Sequence, residues 1–366
     1  MNISLKIADW WLTTLDRYLL RVILNGVLLV MAVLLALGGV FLFMEQQNDI
    51  GIGNYGTLNA LSFVVLNLPQ QVWELLPISA LMGALLGLGN LSRGSELLVM
   101  RSVGLSVWNL ARAASYAGLV LVLFGMLLVE VISPSLQQMA RQQKAFSKYS
   151  DISFNATKGA WFRDGNMIIN IERQMSKEHF SGMRIYELHP DHRLLTFGHA
   201  TIARTDQMGK WHLEQYVESQ FTPTKITANN ISFRELSSNL TADFLRIAAT
   251  APYQLSSSAL RRMIQYLESN NLDAHELTYI LASRLARTLA PLFAVLLALP
   301  FVFGALRSSG AGAQLAAGLG LGVVFFILQR LVDSSAFTLG GSPWLLASMP
   351  TILMAIASLT FIARTR

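Results

Sequence analysis

Uncharged apolar runs bounded by charged residues recur six times along the chain. They restrict its fold more than any other feature, because a helix of about 20 apolar residues crosses the hydrocarbon core of a bilayer. The first run covers 22–44, entered by Asp16, Arg17, Tyr18 and Arg21 and left at Glu45. The second covers 57–91 and contains Pro69, Glu74 and Pro77. It is longer than a bilayer requires, so its first turns are expected to protrude, and each proline removes a helix hydrogen bond and predicts a kink. The third lies between Arg112 and Glu130, the fourth between Arg287 and Arg307, the fifth between Arg307 and Arg330, and the sixth over 342–362. Asp9, Asp16, Arg17 and Arg21 precede a first run too long for the core of a cleavable signal, so it reads as a retained anchor.

Composition supports the same class. Only 14% of the 366 residues are charged and the mean hydropathy is +0.45, whereas a soluble domain carries roughly 25% charged residues. The net charge of +6 is not gathered into a basic stripe or tail, which argues against nucleic-acid binding. The absence of cysteine excludes disulfides, thiolate nucleophiles and Cys-ligated metals. Lys6, Arg17, Arg21, Arg93, Arg101, Arg112, Arg307, Arg364 and Arg366 collect on one side of the spans, and the short loops 45–56 and 333–341 on the other side contain no Lys or Arg. The positive-inside rule then places both termini in the cytoplasm and the segment between the third and fourth spans outside, in a bacterium the periplasm.

That segment, 133–273, changes character. Alternation typical of strands runs through 167–171, 183–188, 195–202 and 211–221, punctuated by turn signals at Asp164-Gly165, His189-Pro190-Asp191, Gly209-Lys210 and Pro223. Short strands at this spacing predict an antiparallel sandwich or open barrel. Residues 135–149 read as a helical extension of the third span and 256–269 as a helix leading toward the fourth. The fold class is therefore six transmembrane helices, membrane all-α, with an all-β domain inserted between the third and fourth. The domain organisation is 1–132, 133–273 and 274–366.

Few motifs point to chemistry. Gly209-Lys210 is followed by Trp211, so it is not a phosphate loop, and His275-Glu276-Leu277-Thr278-Tyr279 lacks the second histidine of a zinc protease. His179, His189, His192, His199 and His212 show no metal-ligand spacing and read as surface histidines, so no metal site and no catalytic residue is assigned. Gly83 with Gly87, and Gly318 with Gly322, place small residues four apart, which serves helix packing inside the chain or against a second subunit. The segment 91–105 forms a short amphipathic helix at about 92–104 between the second and third spans. Ser95-Glu96 opens it, Leu97, Leu98 and Met100 give an apolar face, and Gly104 ends it. It could lie on the membrane or dock into a cytoplasmic ATPase.

Several stretches together resemble the LptF/LptG permeases of the lipopolysaccharide export ABC transporter, the LptG branch more closely. They are Leu15-Asp16-Arg17-Tyr18; Leu81-Met82-Gly83-Ala84-Leu85-Leu86-Gly87-Leu88-Gly89 with Ser95-Glu96-Leu97 and Val99-Met100; Gln138-Met139-Ala140-Arg141; and Phe301-Val302-Phe303-Gly304-Ala305-Leu306-Arg307-Ser308. Ala305 stands where the family pattern has proline, and Leu42 where some members carry a substrate-facing lysine. The resemblance implies an inner-membrane pair of LptF and LptG, two copies of the ATPase LptB below, delivery of lipopolysaccharide toward LptC, and an outer domain folded as a β-jellyroll. ATP and Mg would be bound by the ATPase, with no cofactor in this chain. Glu96, Leu97, Leu98, Met100 and Arg101 would couple to the ATPase, and the first and fifth spans would line the seams with the partner. Lipid A is apolar and anionic, so Arg141 and Lys144, and then Arg284 and Arg287, are candidate cations at the outer rim of a substrate cavity, although cations at membrane ends also snorkel to headgroups.

Other readings remain at this level. A membrane-anchored sensor with a ligand-binding outer domain would need a cytoplasmic output domain, and none is legible. An intramembrane enzyme would need a polar set at depth, whereas Glu74 is the only ionisable residue well inside a run. A membrane subunit of another ABC-type lipid or lipoprotein exporter would share the coupling logic and differ in span order.

Overall fold

The computed structural model describes residues 13–148, 160–174, 179–189, 191, 193–205, 210–222, 224–237, 244, 252–303, 310–335 and 341–365. The chain divides into two compact units, 1–148 with 278–366, and 149–277. The first is helical. It contains α1 (Thr14–Glu45), α2 (Thr57–Arg93), α3 (Glu96–Ser102), α4 (Val107–Leu127) and α5 (Ser133–Lys148). After the inserted unit come α7 (His275–Phe303), α8 (Ala311–Ser335) and α9 (Pro343–Arg364); α6 (Ser257–Ser269) belongs to the insert. Among the described residues, six helical runs are long and apolar enough to cross a membrane.

Two span boundaries differ from those read from charge placement. The third run does not stop at Glu130: α4 passes through a π-helical turn, Leu128–Ile132, directly into α5. The fourth begins at His275, so Arg284 and Arg287 lie within the helix rather than at its entrance. Charge marks the end of a span only where the charge must reach water, and these side chains find partners inside the protein. Residues 304–309, with most of the Phe-x-Phe-Gly segment and Arg307, lie outside the described residues, as do Gly209 and His192.

The start of α1 is fixed by a capping box. Thr13 Oγ1 accepts from the Asp16 backbone N–H at 3.2 Å, and Asp16 Oδ2 accepts from the Thr13 N–H at 3.0 Å. α2 is the most enclosed span, and it runs continuously through Pro69 and Pro77. Its buried Leu76, Ala80, Ala84, Leu85 and Leu88 meet Leu19, Ile23 and Val27 of α1, while α4 and α7 complete the core. Small residues set the spacing. A methyl on Gly118 of α4 would sit 2.8 Å from the Leu292 Cα of α7, and the row Ala286, Ala290, Ala294 and Ala298 keeps one face of α7 narrow. Thr351 Oγ1 ties α9 to the Ala286 carbonyl at 3.0 Å.

The inserted unit is all-β at its centre. β1 (Ala160–Asp164), β2 (Met167–Gln174), β3 (His179–Leu188), β4 (Leu194–Thr205), β5 (Lys210–Phe221) and β6 (Ile226–Ser237) form one antiparallel sheet in sequence order. Four strands match the alternating runs. β1 is short, and β6 has Asn229 and Asn230 in its interior, so neither shows clean alternation. Gly165 turns the chain between β1 and β2 at φ +57°, a conformation that favours glycine. One face buries Ile169, Phe180, Met183, Ile185, Trp211, Leu213 and Tyr216. α6 covers the β1 edge: Tyr266 Oη accepts from the Arg163 N–H at 3.0 Å and donates to the Arg163 carbonyl at 2.6 Å, occupying backbone groups that would otherwise be open to pairing.

Candidate functional site

At the α3 end of the helical unit, α2 and α3 are joined by Gly94 and Ser95. Ser95 adopts φ +59°, in the left-handed region, and its side chain makes no capping hydrogen bond, so it opens α3 by backbone geometry and not by the hydroxyl cap expected from sequence. Leu97 is fully buried and Met100 packs against the same core, whereas Leu98, Val99 and Val103 are exposed. The apolar surface therefore has two sides, one holding α3 to the bundle and one facing outward. The Arg101 guanidinium lies 5.6 Å from the centre of the Phe303 ring. Glu96 is exposed, and its Oε2 accepts from Tyr18 Oη at 2.6 Å. Tyr18 is a residue that sequence reasoning left without a role. It lies in the Leu15-Asp16-Arg17-Tyr18 stretch, but nothing in the sequence links it to a position 78 residues away.

At the opposite end, Lys144 and Arg141 differ. Lys144 Nζ pairs with Asp49 Oδ2 and donates to Gln46 Oε1, each at 2.6 Å, and lies 4.8 Å from the centre of the Phe63 ring. Lys148 also pairs with Asp49, and the Asn54 N–H donates to the Ser147 carbonyl at 2.7 Å. These contacts fasten α5 to the 46–56 loop. Arg141 is half-buried and has no hydrogen-bond or ion-pair partner among the described residues.

The other two cations are engaged within the bundle. Arg287 Nη2 pairs with Asp333 Oδ2 of α8 at 3.0 Å and lies 5.6 Å from the centre of the Trp73 ring. Asp333 also accepts from Tyr279 Oη at 2.6 Å and from Gln329 Nε2 at 3.3 Å. Arg284 is buried in α7 and interacts electrostatically with Glu130 in the π turn. Asp333, which sequence reading placed in an outer loop, is thus the acceptor that ties α8 to α7.

Both glycine pairs lie at contacts between spans. A methyl on Gly83 would fall into the backbone of Val27 and Gly26, and one on Gly87 would lie 2.8 Å from the Val22 carbonyl oxygen, so this pair seats α1 on α2. Gly318 faces Met82 and Leu85, and Gly322 faces Ile78, which seats α8 on α2. The two spans flanking α2 are the least enclosed of the six. Leu28, Leu29, Val33, Leu37 and Phe41 of α1, and Val323, Val324, Phe326 and Ile327 of α8, remain exposed.

The geometry is that of a membrane bundle with two uncovered apolar flanks and a short helix protruding at one end. The sequence profile described as lipopolysaccharide export system permease LptF/LptG matches residues 17–364. The chain is 33% identical over 352 residues to the lipopolysaccharide export system permease protein LptG of Escherichia coli strain K12, covering 96% of this chain and 98% of that one. It is 28% identical over 356 residues to the protein of the same name from Haemophilus influenzae, covering 97% and 99%. A match of this extent, on a chain with six membrane-capable helices and a sheet domain inserted between the third and fourth, establishes that the chain belongs to the LptF/LptG family of lipopolysaccharide export system permeases.

Proposed function

We propose that this chain is the LptG-type half of a permease pair that draws lipopolysaccharide out of the inner membrane, with LptF as its partner, an LptB ATPase dimer docked at α3, and LptC receiving the cargo. The β-domain then lies in the periplasm and both termini in the cytoplasm, in keeping with the lysine and arginine asymmetry. The observation that carries the reading is the pair of uncovered apolar flanks on α1 and α8. In a family of paired permeases, those flanks are the surfaces that meet the partner and wall the lipid's path. ATP hydrolysis and its Mg2+ belong to the ATPase, and this chain contributes no cofactor and no catalytic residue.

In this reading α3 is the coupling element, with Glu96 and the exposed Leu98 and Val99 facing the ATPase, while Leu97, Met100 and Arg101 hold α3 to the bundle. Among the four candidate cations, Arg141 is best suited to meet a lipid A phosphate. Lys144, Arg284 and Arg287 are occupied by groups of the same chain, and their roles are to hold the bundle together.

The test is purification of the full chain from membranes co-expressing its partners. The expected result is recovery of a second six-span permease and an ATPase, with lipopolysaccharide identified among the bound lipids by mass spectrometry. Glu96→Ala should retain the second permease and lose ATPase association or export. Arg141→Glu should retain both proteins and reduce photocrosslinking to lipopolysaccharide. Recovery of the chain without either protein would overturn the reading.

A further inference from the structure

Within residues 66–89 of α2, the most enclosed span, Glu74 is the only exposed residue. It lies 17 positions after the start of the helix and 19 before its end, inside the membrane-crossing stretch even with the first turns protruding. Gln71, Glu74 and Ile78 share one helix face. Gln71 reaches Gly38 of α1, and Ile78 packs against Gly322 of α8. Glu74 therefore sits at the base of the slot between the two uncovered flanks. Its one hydrogen bond comes from Gln70 Nε2, at 2.9 Å on Oε1, and it forms no ion pair among the described residues. The neighbouring Gln71 Oε1 is buried and has no hydrogen-bond partner among the described residues.

A carboxylate inside the membrane-crossing stretch is costly unless an opposite charge or several donors meet it. Among the described residues only an amide does so. The proposed cargo does not help, since its acyl chains are apolar and its phosphates carry the same sign. We infer that Glu74 receives a lysine or arginine side chain from a transmembrane helix of the partner permease, as an inter-subunit ion pair at the floor of the slot between α1 and α8. The inference rests on the paired-permease reading. Cargo in the slot would hold the two charges apart and its departure would let them close, which makes the pair a device that favours the emptied state.

The experiment replaces Glu74 by the photocrosslinker p-benzoylphenylalanine in the complex co-expressed with its partner permease and ATPase, with the same substitution at Val33 and Val323 as references. Crosslinking from position 74 to a partner peptide containing Lys or Arg is expected. Glu74→Lys should lower export at least tenfold while the subunits still co-purify, and replacing the crosslinked partner cation by Glu in the Glu74→Lys background should restore it. If position 74 crosslinks only to lipid, or the charge swap restores nothing, the ion pair is refuted even where Val33 and Val323 reach the partner or lipopolysaccharide. If Val33 and Val323 reach neither, the paired-permease reading itself fails.

Discussion

Charged and polar side chains in this protein divide into those that fasten its elements together and those left open for something else, and only their partners tell them apart. Arg141 and Lys144 are three positions apart on α5, yet Lys144 is held by Asp49 and Gln46 while Arg141 has no described partner. Lys144→Glu should therefore loosen the 46–56 loop, read as faster proteolysis there, and Arg141→Glu should not. In the β-domain, Tyr216 is fully buried, its Oη accepts from Arg234 Nη1 at 3.0 Å, and Arg234 also pairs with Glu218 and with Glu187. Burial pushes the Tyr216 phenol up to about 12, with the neighbouring carboxylates adding to the effect and Arg234 opposing it. A tyrosine in the unfolded chain ionises near pH 10. The raised value therefore contributes stability that is complete below about pH 10 and is lost as pH rises toward about 12, since the unfolded chain releases its proton first. Tyr266 is also raised by burial, so alkaline titration of the full-length protein should show more than one late-ionising tyrosine, and Tyr216→Phe should remove the component near pH 12. That variant should cost about 1–3 kcal/mol, because it leaves part of a buried network unpaired.

Among the elements, α2 is the hub, and its two sides differ in tolerance. A methyl on Gly83 would overlap the backbone of α1, which cannot retreat without moving the helix, whereas one on Gly318 of α8 would lie 3.0 Å from the Met82 and Leu85 side chains, which can shift, and 3.2 Å from the Met82 Cα. Gly83→Val should abolish or severely reduce accumulation of folded protein, and Gly318→Val should reduce it modestly, both measured by thermal unfolding in detergent. α7 and α8 are joined by Arg287 and Asp333. The pair is part-buried, so removing one partner costs about 1–3 kcal/mol, because the other charge loses its charged hydrogen bond. Asp333→Ala should therefore destabilise the protein more than the double variant Asp333→Ala with Arg287→Met.

At the scale of the molecule, a helical unit with two uncovered apolar flanks carries a sheet domain between its third and fourth spans. The orientation proposed for it is open to direct test, because the chain has no cysteine. Thr201→Cys in β4, which is exposed, should react with a membrane-impermeant thiol reagent added to the periplasm. Ser102→Cys at the end of α3, also exposed, should react only after the inner membrane is opened. The reverse pattern would invert the topology.

The sequence by itself determined the number of membrane-capable helices, the β character of the insert, most of its strands, and the family. Each of these depends on local periodicity, hydropathy or motif identity. It did not determine where the third span ends and the fourth begins, since Glu130 and Arg287 looked like boundaries until their partners came into view. Nor did it show that Tyr18 reaches Glu96, that the outward face of α3 is Leu98, Val99 and Val103, or that Glu74 opens between α1 and α8. The physical reason is the same throughout. A charge's effect is set by what lies within a few ångströms of it, and in a helical bundle those neighbours come from residues tens to hundreds of positions away.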